Sequence, residues 1–183
     1  MANLLLIDDE PNILSALTRV LHKRPWQVTT CERPEKALEL LTQQNFDLIL
    51  SDYRMPGMDG ITLLQFVRQR QPEAMRLLLT AHGDREALIK AINQAEIFRF
   101  LSKPWDDYEL LTALDTALEL LTLRREQKRM YEQLKQQHDL LVRQREAQEH
   151  LRAEHPALFE VMRNEDGAIV LEEWESLDHQ GFS

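Results

Sequence analysis

From Asn3 to about residue 121 the chain alternates between two textures, and nothing else constrains its fold as strongly. Short apolar runs occur at Leu4–Ile7, Val28–Cys31, Leu48–Leu50, Leu77–Leu79 and Phe98–Leu101. Between them apolar residues recur every three or four positions: Ile13, Leu14, Leu17, Val20 and Leu21; Ala37, Leu38 and Leu41; Leu63, Leu64 and Val67; Ala87, Leu88, Ala91 and Ile92. A last such series begins near Asp106 with Leu110, Leu111, Leu114 and Leu118. The first texture reads as strands and the second as amphipathic helices. Strands alternating with helices make βαβ units, hence an α/β fold with a five-stranded parallel sheet, doubly wound. The strands are nearly all apolar, as strands buried on both faces should be.

The last helix does not stop where the alternation does. From about Asp106 to Glu154 there is no Gly and no Pro, which predicts a rod of about 70 Å. A heptad frame runs through Met130, Leu134, Leu141 and Leu151, with Gln127, Gln137, Gln144 and Gln148 at the alternate seam positions. The coil is therefore a weak one, and a homodimer through this extension is expected. His155-Pro156 ends the helix. In the tail, Glu160 to Glu172 reads as strand, turn, strand, with Asp166-Gly167 at the turn of a β-hairpin. Calcium binding at Asn164-Glu165-Asp166-Gly167 lacks the twelve-residue ligand spacing. The expected organisation is residues 1–122, an α/β domain; 123–154, a helical extension; and 155–183, a small acidic tail.

The formal net charge of −9 argues against a general nucleic-acid binder, whose footprint would be basic. One cysteine, Cys31, cannot form an internal disulfide and fits a reducing compartment. The opening apolar run is too short for a signal peptide, and no stretch is long enough to span a membrane. A cytoplasmic protein without membrane or direct DNA contacts is expected.

In an open parallel sheet, ligands bind outside the carboxyl ends of the strands. Past the first strand stand Asp8 and Asp9, past the third Asp52, past the fourth Thr80, past the fifth Lys103 and Pro104. Three carboxylates, one hydroxyl and one ammonium thus converge on one edge. Oxygen-rich acid clusters suit Mg²⁺ (or Mn²⁺), which would offset the repulsion among them. A carboxylate in that setting can act as a nucleophile toward phosphorus, while Thr80 and Lys103 hold the phosphoryl oxygens. Each residue alone is a weak signal; their joint placement at four strand ends is specific.

Those residues lie within longer stretches: Leu6-Ile7-Asp8-Asp9-Glu10-Pro11, Asp52 through Gly60, Leu79-Thr80-Ala81, and Phe98 through Trp105. In them the sequence resembles the receiver domain of bacterial two-component response regulators. The resemblance implies that Asp52 accepts a phosphoryl group from a histidine kinase or phosphotransfer protein. It implies that Asp9, Asp52 and the Arg54 backbone carbonyl ligate Mg²⁺ directly, with Asp8 acting largely through water. Thr80 becomes the switch hydroxyl, Lys103 the phosphate-binding cation and Phe100 the switch aromatic, and the Lys103–Pro104 bond is expected to be cis. Arg54 and His82, each two residues past a site residue, would tune the lifetime of the phosphoryl group, and a long-lived state is expected.

The resemblance implies no enzymatic activity beyond phosphoryl uptake and self-dephosphorylation. No helix-turn-helix module, ATPase P-loop or phosphodiesterase metal cluster is recognised. The expected output is a phosphorylation-controlled change in protein interaction or dimer geometry. The alternatives are a phosphorelay intermediate or phosphate sink, and a constitutive scaffold.

Overall fold

The computed structural model describes residues 1–81 and 95–154. The helix read at Ala87–Ile92, His82 and the tail hairpin lie outside the described residues. By internal contacts the chain forms two compact units, Met1–Lys128 and Arg129–Ser183.

Five parallel strands build the sheet of the first unit: β1 (Ala2–Ile7), β2 (Trp26–Cys31), β3 (Leu48–Asp52), β4 (Met75–Ala81) and β5 (Arg99–Lys103), in the order β2-β1-β3-β4-β5. Helices α1 (Pro11–Leu21), α2 (Pro34–Gln43), α3 (Gly60–Arg70) and α4 (Asp107–Glu154) complete the described elements. This is the flavodoxin-like order, whose direction reverses between β1 and β3. The crevice at a reversal lies at the carboxyl ends of those two strands, so Asp8 and Asp52 flank it.

Alternation along each strand divides the core into two layers. Leu4, Leu6, Leu48, Leu50, Leu77, Leu79 and Leu101 pack on Leu14, Leu17 and Leu21 of α1 and on Leu110, Ala113, Leu114, Ala117 and Leu121 of α4. Leu5, Ile7, Ile49 and Leu78 face the other way, onto Ala37 and Leu41 of α2 and Leu63, Leu64 and Val67 of α3. With a side-chain period of two, the central strands serve both layers and stay apolar over Leu4–Ile7, Leu48–Leu50 and Leu77–Leu79, while the edge strand β2 carries Gln27, Thr29 and Thr30.

The helices begin where the chain chemistry provides for it. Pro11 and Pro34 open α1 and α2, where the missing N–H has no partner to lose. Asp59 accepts the Thr62 N–H at 2.7 Å and Asp106 accepts the Glu109 N–H at 2.9 Å, so α3 and α4 start on side-chain caps.

Two buried polar side chains tie the amino-terminal edge of the sheet together. Gln71 donates to the carbonyls of Leu41 (3.1 Å) and Gln44 (2.8 Å) and accepts from the Phe46 N–H (2.9 Å), closing the turn from α2 into β3. Arg76 donates to the carbonyls of Ala95 (2.8 Å), Ala74 (2.8 Å) and Pro72 (3.2 Å). At the same edge, Arg125 of α4 pairs with Asp47 (2.6 Å) and Lys128 with Glu73 (2.6 Å). Ion pairs continue the face of α4 that Leu114, Ala117 and Leu121 bury, and the first unit accordingly runs to Lys128.

Candidate functional site

The strands extend past their apolar runs because neighbouring backbones go on pairing. Asp52 is the last residue of β3, Thr80 lies inside β4 and Lys103 ends β5. These three residues are therefore held in the sheet, while Asp8 and Asp9 follow directly on the end of β1 at Ile7. Register aligns them: Ile7 pairs with Ser51, Asp52 with Leu79, Thr80 with Ser102 and Ala81 with Lys103.

At the centre the Lys103 ammonium lies 2.7 Å from Asp8 Oδ2 and 2.6 Å from Asp52 Oδ1. Asp8 Oδ1 accepts the Glu10 N–H at 3.0 Å, and Asp52 Oδ2 accepts the Arg54 N–H at 2.9 Å. Asp8 is fully buried and Asp52 is 5 % exposed. Burial pushes the Asp8 carboxyl above its usual range; the bonds from Lys103 and the Glu10 N–H pull it back without cancelling that shift. Burial would lower Lys103, but its two carboxylate partners outweigh it and raise the ammonium. The two directions have different origins: lost hydration sets that of Asp8, and the pair of carboxylates around one ammonium sets that of Lys103, which therefore holds its proton.

Thr80 is buried, and its hydroxyl donates to the Ala81 carbonyl at 3.3 Å. Phe100 is half-buried against the layer formed with α2 and α3. Asp9 and Arg54 are exposed at the rim. The Lys103–Pro104 peptide is cis. Asp8, Asp52 and Lys103 are thus in direct contact, while Thr80 stands at the same strand ends with its hydroxyl engaged elsewhere. Among the described residues no group of three acids, histidines or cysteines is arranged as a metal cage. The donor chemistry nonetheless suits a hard divalent cation: every candidate atom is oxygen, and the buried carboxylates outnumber their ammonium.

One requirement went unread in the sequence. The loop after Asp52 closes on itself, with Tyr53 N–H donating to Leu79 O at 2.8 Å and Gly60 N–H to Tyr53 O at 2.9 Å. A Cβ on Gly60 would lie 2.0 Å from the Asp52 carbonyl oxygen and 2.9 Å from Leu78 Cδ1. Only glycine allows α3 to start this close to β3. Gly57, at φ 84°, supplies the left-handed turn within the loop. The Asp59-Gly60 pair was the available signal.

The model of the response regulator receiver domain matches residues 4–115. The chain belongs to the response regulator receiver family. A receiver domain of an HD domain-containing protein from Pseudomonas fluorescens Pf-5 superposes with a TM-score of 0.66 at 42% identity, over 68% of this chain and 92% of that one. Among curated relatives, the hydrogenase transcriptional regulatory protein HoxA of Cupriavidus necator is 33% identical over 159 residues, 87% of this chain and 33% of that protein. The transcriptional regulatory protein GlrR of Escherichia coli K12 is 39% identical over 118 residues, 64% of this chain and 26% of its own length. This chain therefore spans a quarter to a third of the length of these curated relatives. As a receiver, it is a component of phosphorylation-dependent signalling. Among the described residues no helix is long and apolar enough to cross a membrane.

Proposed function

We propose that this receiver takes a phosphoryl group onto Asp52 from a phosphohistidine of a histidine kinase or phosphotransfer protein. The observation that carries the reading is the Lys103 ammonium held between Asp8 and Asp52 at 2.7 and 2.6 Å. An Asp52 oxygen attacks phosphorus, the P–N bond breaks, and its electron pair stays on the imidazole. Lys103 keeps its charge and stays on the phosphoryl oxygens as negative charge moves toward Asp52. Thr80 exchanges the Ala81 carbonyl for a phosphoryl oxygen. Asp8, Asp9, Asp52 and the Arg54 carbonyl would hold Mg²⁺ or Mn²⁺, which supplies charge neutralisation for the transferring group. Arg54, and His82 beyond the described residues, set how long the phosphoryl group lasts.

Readout goes through β5 and α4. Leu101 of β5 shares a core layer with Leu110, Leu114 and Leu121 of α4, so a shift near Phe100 and Lys103 reaches the root of that helix. Its later turns expose Met130, Leu134 and Leu141, a stripe that pairs two copies of the chain. Phosphorylation then acts by population shift, favouring one packing and one dimer geometry. The buried thiol of Cys31 fits a cytoplasmic setting, and the acidic chain acts on protein partners rather than on DNA.

Acetyl phosphate with Mg²⁺ should label the wild-type protein, and intact mass should show one phosphoryl group. Asp52→Asn should remove the label while far-UV circular dichroism stays unchanged. Labelling that persists in Asp52→Asn would place the acceptor elsewhere.

A further inference from the structure

We propose that residues 123–151 pair with the same residues of a second copy in parallel and in register. This rests on the homodimer reading above and adds the partner's orientation.

Leu123, Met130, Leu134, Leu141 and Leu151 are exposed by 55%, 57%, 64%, 58% and 47%. With Gln127, Gln137, Gln144 and Gln148 they fill one unbroken heptad seam: a positions at 127, 134, 141 and 148, d positions at 123, 130, 137, 144 and 151. In a parallel pair each layer meets its own copy. Leu134 and Leu141 meet leucines, and each glutamine meets a glutamine, whose amide both donates and accepts. In an antiparallel pair overlapping across 127–151, Gln127 faces Leu151, Met130 faces Gln148, Leu134 faces Gln144 and Gln137 faces Leu141. Every one of those layers sets an amide against an apolar side chain and leaves it without a partner.

The flanking columns favour the same orientation. The e positions are Arg124, Tyr131, His138, Arg145 and Arg152, with no acid; the g positions are Glu119, Glu126, Gln133, Leu140 and Ala147, with no base. A parallel coil sets g against e of the second copy and brings Glu119 to Arg124. An antiparallel coil sets e against e, bringing the arginine-bearing column onto itself.

Disulfide trapping of the full chain tests this. Cys31 is buried, so the wild-type protein is the control without a cross-link. In Gln144→Cys the parallel pair places the two thiols in one layer, and mild oxidation should convert most of the dimer to a covalent one. In the antiparallel pair each residue 144 lies level with residue 134 of the other copy, about 15 Å along the axis from its counterpart, beyond disulfide reach. A mixture of Leu134→Cys and Gln144→Cys chains then cross-links between the two variants instead. A dimer by sedimentation equilibrium that yields only the mixed product overturns the parallel arrangement and leaves the homodimer standing. A protein monomeric at every concentration overturns both.

Discussion

Lys103, on the edge strand β5, holds the Asp52 carboxylate at 2.6 Å across the whole width of β4. The same ammonium holds Asp8 at 2.7 Å, so one cation joins the ends of three strands. Lys103→Met should therefore abolish labelling by acetyl phosphate and also destabilise the domain, because it leaves two buried carboxylates facing each other. Removing one partner of a buried pair costs roughly 3–5 kcal/mol, and urea unfolding at pH 7 measures it. Lys103→Arg keeps the charge and should recover part of the stability.

The raised Lys103 ammonium sets an alkaline limit. A base that binds its proton more tightly when folded stabilises the fold fully below its unfolded value of 10.5. That contribution fades as pH rises through the higher folded value. Urea unfolding carried from about pH 9.5 to 12 should show, above the unfolded value of 10.5, a steeper alkaline loss in the wild type than in Lys103→Met. Parallel curves would contradict it.

Gly60→Ala pushes a methyl group into the Asp52 carbonyl, a backbone atom that cannot swing aside. The expected cost is roughly 1–3 kcal/mol, read by thermal melting. Phosphoryl uptake should slow as well, since the collision moves the acceptor itself. The adjacent Asp59→Ala removes only a helix cap, costs about 1 kcal/mol and should spare uptake.

Gln71→Ala strands one buried N–H and two carbonyls at the turn into β3. A loss of roughly 1–3 kcal/mol is expected in urea unfolding, with labelling of Asp52 unchanged, because the defect lies at the opposite edge of the sheet. Gln71→Glu should do no better, since a carboxylate cannot donate to Leu41 and Gln44.

Millimolar Mg²⁺ should raise the melting temperature relative to EDTA, because a ligand that binds only the folded state stabilises it by mass action. The rise should disappear in Asp9→Asn. An equal rise in that variant would remove Asp9 from the cation site.

The strands, their parallel arrangement and the convergence of Asp8, Asp52, Thr80 and Lys103 were legible because they follow from local texture and one rule about strand ends. Strand limits were not: Leu77–Leu79 announces only the apolar middle of β4, while backbone pairing carries the strand from Met75 to Ala81. Gln71 and Arg76 were invisible for a related reason. Each looks like an ordinary surface residue, and its burial depends on carbonyls brought near by chain closure, such as Leu41 for Gln71 and Ala95 for Arg76. The same holds for Gly60, whose constraint is a distance to a strand rather than a pattern of neighbours.

The loop from Tyr53 to Gly60, pinned at its base by the Tyr53–Leu79 and Gly60–Tyr53 hydrogen bonds, separates two properties that selection can then alter independently. Exposed positions within it, Arg54 and Pro56 among them, can exchange side chains while the base holds the acceptor in place. Under the role proposed for Arg54, a lineage carrying this fold can reset how long its signal lasts without rebuilding the apparatus that receives it.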